Sequence, residues 1–212
     1  MNFEFLKRNT KNLVILNKEL LKTLEPRENV LDANIKYWIK TGKFIVIKKG
    51  KYILKERFEK LESKNNLLEY IAGQIMQPSY LSTEYVLAKY QILSESVQTV
   101  TSVTTKKTKA IKNDLGSFQY YSISEKLFTG YEIKKEGDLI YAEATKPKVL
   151  FDFLYFRFLK EFNVNIKIID NLRLNWENIS LNEFKKAESY LKLTNSKKVR
   201  EIFNLIKNKY YV

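Results

Sequence analysis

Cysteine and histidine are both absent from this chain. No disulfide can form, no thiol can act as a nucleophile, and a zinc site of the Cys/His kind is excluded. Acid–base catalysis by imidazole goes with them. Proline and glycine are scarce, 3 and 6 among 212 residues, and no linker rich in Pro, Gly or Ser and no internal repeat breaks the sequence. No apolar run approaches the roughly 20 residues that span a bilayer. The opening MNFEFLKRNTKNLVIL sets charges early and offers no small-residue cleavage motif. A signal peptide and a membrane partner are therefore not expected, and the expected location is cytoplasmic. Neither a cofactor nor a metal is expected.

What is abundant is positive charge. The formal net charge is +14, and residues 1 to 60 carry +8 of it, from 15 basic and 7 acidic side chains. A basic surface concentrated in one region favours a polyanion such as nucleic acid, although a lysine-rich proteome gives a similar total. The hydrophobic share of 44% is enough for one large core or two small ones.

Residues 1 to 60 read as helix, helix, hairpin. In LNKELLKTLEP, Asn17 is an N-cap, Leu20, Leu21 and Leu24 form the apolar stripe, and Pro26 ends the helix. In NVLDANIKYWIKTGK, Asn29 is the expected cap and Asp32 its reciprocal partner. Leu31, Ile35, Trp38 and Ile39 recur at helical spacing and are expected in the core, and Gly42 stops the helix. FIVIKKGKYIL then gives two strands around a turn at Gly50. Two short helices and a hairpin predict a winged helix-turn-helix, whose second helix enters the DNA major groove. Its expected DNA contacts are Arg27, Asn34, Lys36, Tyr37, Lys40, Lys43, Lys48, Lys49 and Lys51. Ala33 shares the outward face. The alternative is a winged helix used only for protein contact, with these lysines merely solvated.

The charged stretch KERFEKLESKNN, Lys55 to Asn66, is the expected boundary. It separates a domain at 1–60 from a mixed α/β domain at 66–212, in an α+β protein overall. The second domain begins with an apolar helix ending near Gln77-Pro78. PSYLSTEYVLAKYQIL follows, with two serines that invite a catalytic reading. That reading lacks a histidine base, a Gly-x-Ser-x-Gly elbow and a Ser-x-x-Lys pair. Ser82 instead reads as an N-cap, with Glu84 in the first turn, Leu81 and Val86 at staple spacing, and Tyr85, Ala88 and Leu87 inward. Val97, Thr99, Thr101, Val103 and Thr105 share one strand parity, and FQYYSI and DLIYAEA read as further strands. Gly116-Ser117 is followed by no closely spaced carboxylate pair, so a nucleotidyltransferase metal site is not expected; Asp138 and Glu143 would point to opposite faces. Lys106, Lys107, Lys109 and Lys112 form a second basic segment at a strand end or loop, a possible further nucleic-acid or partner contact or a solvated loop. KPKVLFDFLYFRFLKEF reads as a helix capped by Thr145, and two terminal helices follow, one after Ser180 and one from about Ser196 with Val199, Ile202, Phe203 and Ile206 inward.

Several of these pieces occur in an order that resembles the AbiEi family of antitoxins, over about residues 13 to 158. They are the basic Gly50-Lys51-Tyr52 hairpin, PSYLSTEYVLAKYQIL, TVTSVTTKK, LFTGY from Leu127 to Tyr131, and AEATKPKVLFDFLY. One departure is Lys146-Pro147-Lys148 after Ala144-Thr145, where family members carry Pro then Glu; Asp152 matches the later acidic position. The resemblance implies a type IV toxin–antitoxin regulator without catalytic residues. It would repress its own operon at double-stranded promoter DNA, commonly at inverted repeats, as a monomer or dimer. It also implies functional pairing with a nucleotidyltransferase-like toxin, with no direct complex assumed, and a C-terminal antitoxin domain. The competing expectation is an RNA-binding or protein-interaction module without operator specificity.

Overall fold

Asn2 sets the first helix. In the computed structural model, which describes residues 1–60, 64–159 and 165–211, its side-chain oxygen accepts the Phe5 N–H at 2.7 Å. That caps α1, Phe3–Asn9. A two-residue strand β1, Leu16–Asn17, leads into α2, Lys18–Leu24, which Asn17 caps as expected by accepting the Leu20 N–H at 2.7 Å. Then come α3, Glu28–Lys40, and the hairpin of β2, Phe44–Lys48, and β3, Lys51–Leu54. The three strands are antiparallel in the order β1-β3-β2. Gly50 turns the hairpin at φ +79°, a left-handed conformation that glycine takes without steric cost.

Three expectations for α3 need correction. The helix starts at Glu28 with Arg27 at the cap position, so Asn29 lies inside the first turn. Asp32 makes no reciprocal cap; its carboxylate pairs with Lys18 at 2.6 Å. Ile39 is exposed, because Leu31, Ile35 and Trp38 already fix the buried direction and each further residue turns about 100° from it. The core joins those three to Leu6, Leu16, Leu21, Phe44, Tyr52 and Leu54. Of the α2 stripe only Leu21 is fully buried, with Leu20 and Leu24 packed at the margin. Each such burial contributes about 1.5–3 kcal/mol.

α4, Lys55–Lys60, and α5, Lys64–Ile75, follow. Arg57 of α4 donates to the carbonyls of Thr10 and Leu13, both at 2.6 Å, and to that of Lys7 at 3.2 Å, tying down the end of α1. The chain forms two compact units: Met1–Ile71 with Lys112–Gly116, and Ala72–Ile111 with Ser117–Val212. The division thus falls at Ile71, five residues past Asn66, inside α5; residues 61–63 of the expected boundary lie outside the described residues.

The second sheet is built from β4, Ser79–Leu81, β5, Thr99–Thr104, β6, Lys109–Asn113, β7, Gly116–Ser122, β8, Tyr131–Glu136, and β9, Leu139–Ala144. Its order is β6-β7-β5-β4-β9-β8. β4 runs antiparallel to β5 and parallel to β9. α6, Thr83–Lys89, leaves β4 directly. Ser79–Leu81, expected as the approach to a helix, is therefore a strand in the interior of the sheet. β6 and β8 also go beyond the sequence reading.

α7, Lys146–Phe158, is the most deeply buried helix and includes Lys148 and Asp152 among its buried residues. Thr145 occupies its cap position, but its hydroxyl donates to the Gly130 carbonyl at 2.9 Å rather than capping. Beyond residues 160–164, outside the described residues, lie α8, Ile166–Asp170, α9, Leu181–Ser189, and α10, Lys197–Tyr210. Val199, Ile202, Phe203 and Ile206 are all buried, as their spacing predicts. Helices and strands in these proportions make the fold α+β. No helix among the described residues is long and apolar enough to cross a membrane.

Ser180 and Glu183 form a reciprocal capping box on α9, with the Glu183 carboxylate accepting the Ser180 N–H at 2.8 Å. Ser180→Ala is expected to cost about 1 kcal/mol, and Asn17→Ala a similar amount at α2. Both are read as a lower urea midpoint by circular dichroism.

Candidate nucleic-acid interface

On the first unit, α3 turns Ala33, Lys36, Tyr37 and Lys40 to solvent. Tyr37 is 56% exposed, unusual for a large aromatic side chain. Nearby acids are already engaged: Glu28 by Lys22 and Lys18, Asp32 by Lys18, and Glu25 by Arg27. Among the described residues, no ion pair involves Lys36, Lys40 or Lys49. Asp32 feels the charge of Lys36 one turn along α3, but its carboxylate is held by Lys18, and the lysine side chains stay exposed.

The hairpin concentrates charge further. Lys48 and Lys51 stand opposite each other across β2 and β3, with Lys49 exposed at the turn between them. A bulge at Ile47, between Val46 and Lys48, shifts the register just before this end.

Three other expected contacts are held within the unit. The Asn34 amide donates to the Met1 carbonyl at 3.1 Å, so one of its donors is used internally. Arg27 grips Glu25 through Nε at 2.8 Å and Nη2 at 2.9 Å, though its side chain stays exposed. Lys43 is half-buried, with its Nζ 4.7 Å from the Phe3 ring centre and 5.8 Å from that of Tyr37. In the second basic segment, Lys106 and Lys107 lie in the β5–β6 connection, Lys109 is the first residue of β6 and Lys112 lies within it. All four are exposed, and Lys112 falls in the first unit.

The second unit hides a polar cluster that sequence reading missed. Lys148 and Asp152 are both fully buried and pair at 2.7 Å. Lys148 also donates to the Leu127 carbonyl at 2.8 Å. Asp152 accepts from the Tyr80 hydroxyl at 2.9 Å and from Ser82 Oγ at 2.8 Å. Loss of water pushes the Asp152 carboxyl above its ordinary range and Lys148 below its own, while their mutual attraction opposes both shifts. Gly130 allows the close approach around them: a Cβ there would run into the Tyr190 hydroxyl and crowd Lys148 Cγ. The available signal was a Lys and an Asp at i, i+4 in a mostly apolar helix.

This cluster changes the role expected of Ser82. Ser82 sits at the cap position of α6, but its hydroxyl goes to Asp152 and caps nothing. Thr101 takes over: its hydroxyl accepts the Tyr85 N–H at 3.1 Å and donates to the Ser82 carbonyl at 2.5 Å. Val86 and Leu87 are buried, whereas Tyr85 and Ala88 are only half-buried, since the helix leaves the strand rotated from the expected phase. Thr83 follows at φ +58°, a conformation that costs a non-glycine residue about 1–2 kcal/mol.

No protein-family model and no curated protein sequence matches this chain.

Replacing Lys148 by Met or Asp152 by Asn is expected to destabilise by about 3–5 kcal/mol, since each leaves the other group uncompensated in the core. The double variant Lys148→Met/Asp152→Asn should cost clearly less than the sum of the two, as a urea-denaturation cycle would read. Glu25 gives a pH prediction. Hydrogen bonds from Arg27, then from the Met1 amino group, hold its carboxyl down at about 2 against an ordinary 4.5. A depressed acid adds stability above its unfolded value, and that stability is lost as pH falls through the folded one. The thermal midpoint should therefore drop between about pH 4.5 and 2, and Glu25→Gln should flatten that limb.

Proposed function

We propose that this protein is an autorepressing antitoxin of the AbiEi kind, whose first unit is a winged helix-turn-helix that binds its own promoter in the cytoplasm. The observation that carries the reading is the outward face of α3, where Lys36, Tyr37 and Lys40 project to solvent and no salt bridge holds either lysine among the described residues. The same unit ends its hairpin in Lys48, Lys49 and Lys51. The helix order and the strand order β1-β3-β2 support a winged helix, with α3 as the recognition helix and the hairpin as the wing. The order of motifs resembling the AbiEi family supports the antitoxin half. On that reading, the second unit counters a nucleotidyltransferase-like toxin without requiring a stable complex.

The roles divide by chemistry. Lys36, Lys40 and the wing lysines neutralise phosphates and supply salt-dependent affinity. Tyr37 offers a hydroxyl and a flat apolar face to base edges, and so contributes choice. One Asn34 N–H is committed to the Met1 carbonyl, so Tyr37 carries more of the selectivity than Asn34.

A gel-shift titration of the protein's own promoter against scrambled duplex tests this. Promoter preference at moderate salt is expected, and equal binding would refute the reading. Replacing Lys48, Lys49 and Lys51 by Ala should weaken both duplexes alike and reduce the salt slope by about one for each phosphate no longer neutralised. Tyr37→Ala should instead narrow the gap between promoter and scrambled DNA, by about 1–3 kcal/mol if it reads one base pair. Tight binding of single-stranded RNA with no promoter preference would favour the RNA-binding alternative.

A further inference from the structure

The six-stranded sheet ends in an open strand. β8 has β9 on one side and no strand on the other. All its residues are exposed except Lys134, which is half-buried. One hydrogen bond shows which backbone groups face the opening. The Thr145 N–H donates to the Gly130 carbonyl at 3.0 Å, so that carbonyl points at the β9 side. The N–H of the same planar peptide, that of Tyr131, points the opposite way. Hydrogen bonding alternates along an antiparallel ladder, so Tyr131, Ile133 and Lys135 turn their N–H and C=O groups to the open side. Among the described residues, no backbone hydrogen bond outside the ladder involves these three. An edge of this kind is a template for another strand.

Charge on an edge ordinarily discourages pairing, but the order of charges along β8 is self-complementary. Let a second copy pair antiparallel about a two-fold axis that passes through Ile133, perpendicular to the sheet. Glu132 then stands opposite Lys134 of the other copy, and Lys134 opposite its Glu132. Ile133 faces Ile133, and Tyr131 faces Lys135. The residues with open backbone groups in one copy meet those of the other, so every open group between Tyr131 and Lys135 is paired. Moving the axis by one residue sets Glu132 against Glu132 or Lys134 against Lys134, and like charges directly opposite are destabilising. The other edge of the sheet, β6, has only Lys109 and Lys112 as charged residues and repels its own copy. An apolar feature marks the same place. Ile133 is 65% exposed and Ile140 53%. Ile133 lies opposite Ala142 and Ile140 opposite Lys135, so both stand on one face of the sheet. Pairing about Ile133 joins these side chains into one apolar strip, with Ile140 of each copy at its ends.

We propose that β8 is the interface between two copies of this chain, joined edge to edge about Ile133 so that their sheets become continuous. The interface is one strand wide, which makes the dimer weak and concentration-dependent. It lies wholly within the second unit and shares no residue with the basic face of the first. It does not rest on the antitoxin reading, and its test needs no DNA.

Sedimentation equilibrium of the full chain, from low micromolar to near-millimolar protein, tests the proposal. The wild type should pass from monomer to dimer across that range. Glu132→Lys sets lysine against lysine in both charged pairs, and Lys134→Glu sets glutamate against glutamate. Each variant alone should dimerise at least about tenfold more weakly than the wild type. An equimolar mixture of the two should recover dimerisation, because every pair then joins opposite charges. Either change breaks the Glu132–Lys134 ion pair at 3.1 Å within the strand, but an exposed pair of this kind contributes little to the fold. Recovery on mixing also shows that both variants are folded. Ile133→Lys, which opposes two lysines at the centre, should abolish dimerisation while leaving the circular dichroism spectrum unchanged. A wild type that stays monomeric throughout would overturn the proposal and leave the edge to a foreign strand. Undiminished dimers in the Ile133 and both charge variants would overturn it by placing the contact elsewhere. A mixture no stronger than its components would overturn it as well.

Discussion

The second unit is organised around one ion pair that water does not reach. Lys148 and Asp152 sit one turn apart on α7, and between them they engage the carbonyl at Leu127, the hydroxyl of Tyr80 on β4 and that of Ser82 at the head of α6. Three separate chain segments thus meet at two charges. A buried pair of this kind contributes little net stability compared with an apolar substitute, but it is unforgiving about geometry. An apolar core of the same volume would tolerate β4 sliding or α6 rotating; two charges with fixed hydrogen-bond partners do not. The pair therefore acts mainly on register.

The effect spreads outward from Ser82. Because Asp152 takes its hydroxyl, the start of α6 must be capped from elsewhere, and Thr101 on the neighbouring β5 does it. The chain then makes its left-handed step at Thr83, which sets Thr83 and Glu84 toward a cleft lined also by Tyr121, Phe153, Phe156 and Arg157. An ion pair in the core thus shapes a cleft several residues away through ordinary hydrogen bonds. In the first unit the organisation is of another kind: an aromatic and aliphatic core of Trp38, Phe44 and Tyr52 with its charges outside. Glu25 and the α3 acids Glu28 and Asp32 are paired locally.

Features governed by neighbours along the chain were legible in the sequence. Asn17 and the Ser180 box cap their helices because the cap and the N–H it satisfies are three residues apart. The α10 stripe and the outward face of α3 follow from 3.6-residue periodicity, which also placed Lys36, Tyr37 and Lys40 on the surface. Features set by partners distant in sequence were not legible. β4 is three residues long and too short to show alternation. The replacement of Ser82 by Thr101 spans 16 residues to Tyr85 and becomes visible only once the strands pair. Lys148 read as a departure from a family pattern, because a lysine in the first turn of a helix ordinarily faces water. Asn34 and Arg27 were placed near the expected interface, but their partners Met1 and Glu25 lie outside α3, beyond the reach of its periodicity.

The brevity of β4 bears on the order of assembly. Its three residues are joined on one side by β5, some twenty positions later, and on the other by β9, some sixty positions later. Most of the first unit, by contrast, can close from its first sixty residues. During synthesis from the ribosome most of the basic unit can therefore form while β4 still lacks both its neighbours. Until α7 emerges and delivers Asp152, Tyr80 and Ser82 have no acceptor to hold that strand in place. Closure of the second unit is consequently a late and non-local event, of the kind that folds slowly and leaves strand edges open meanwhile.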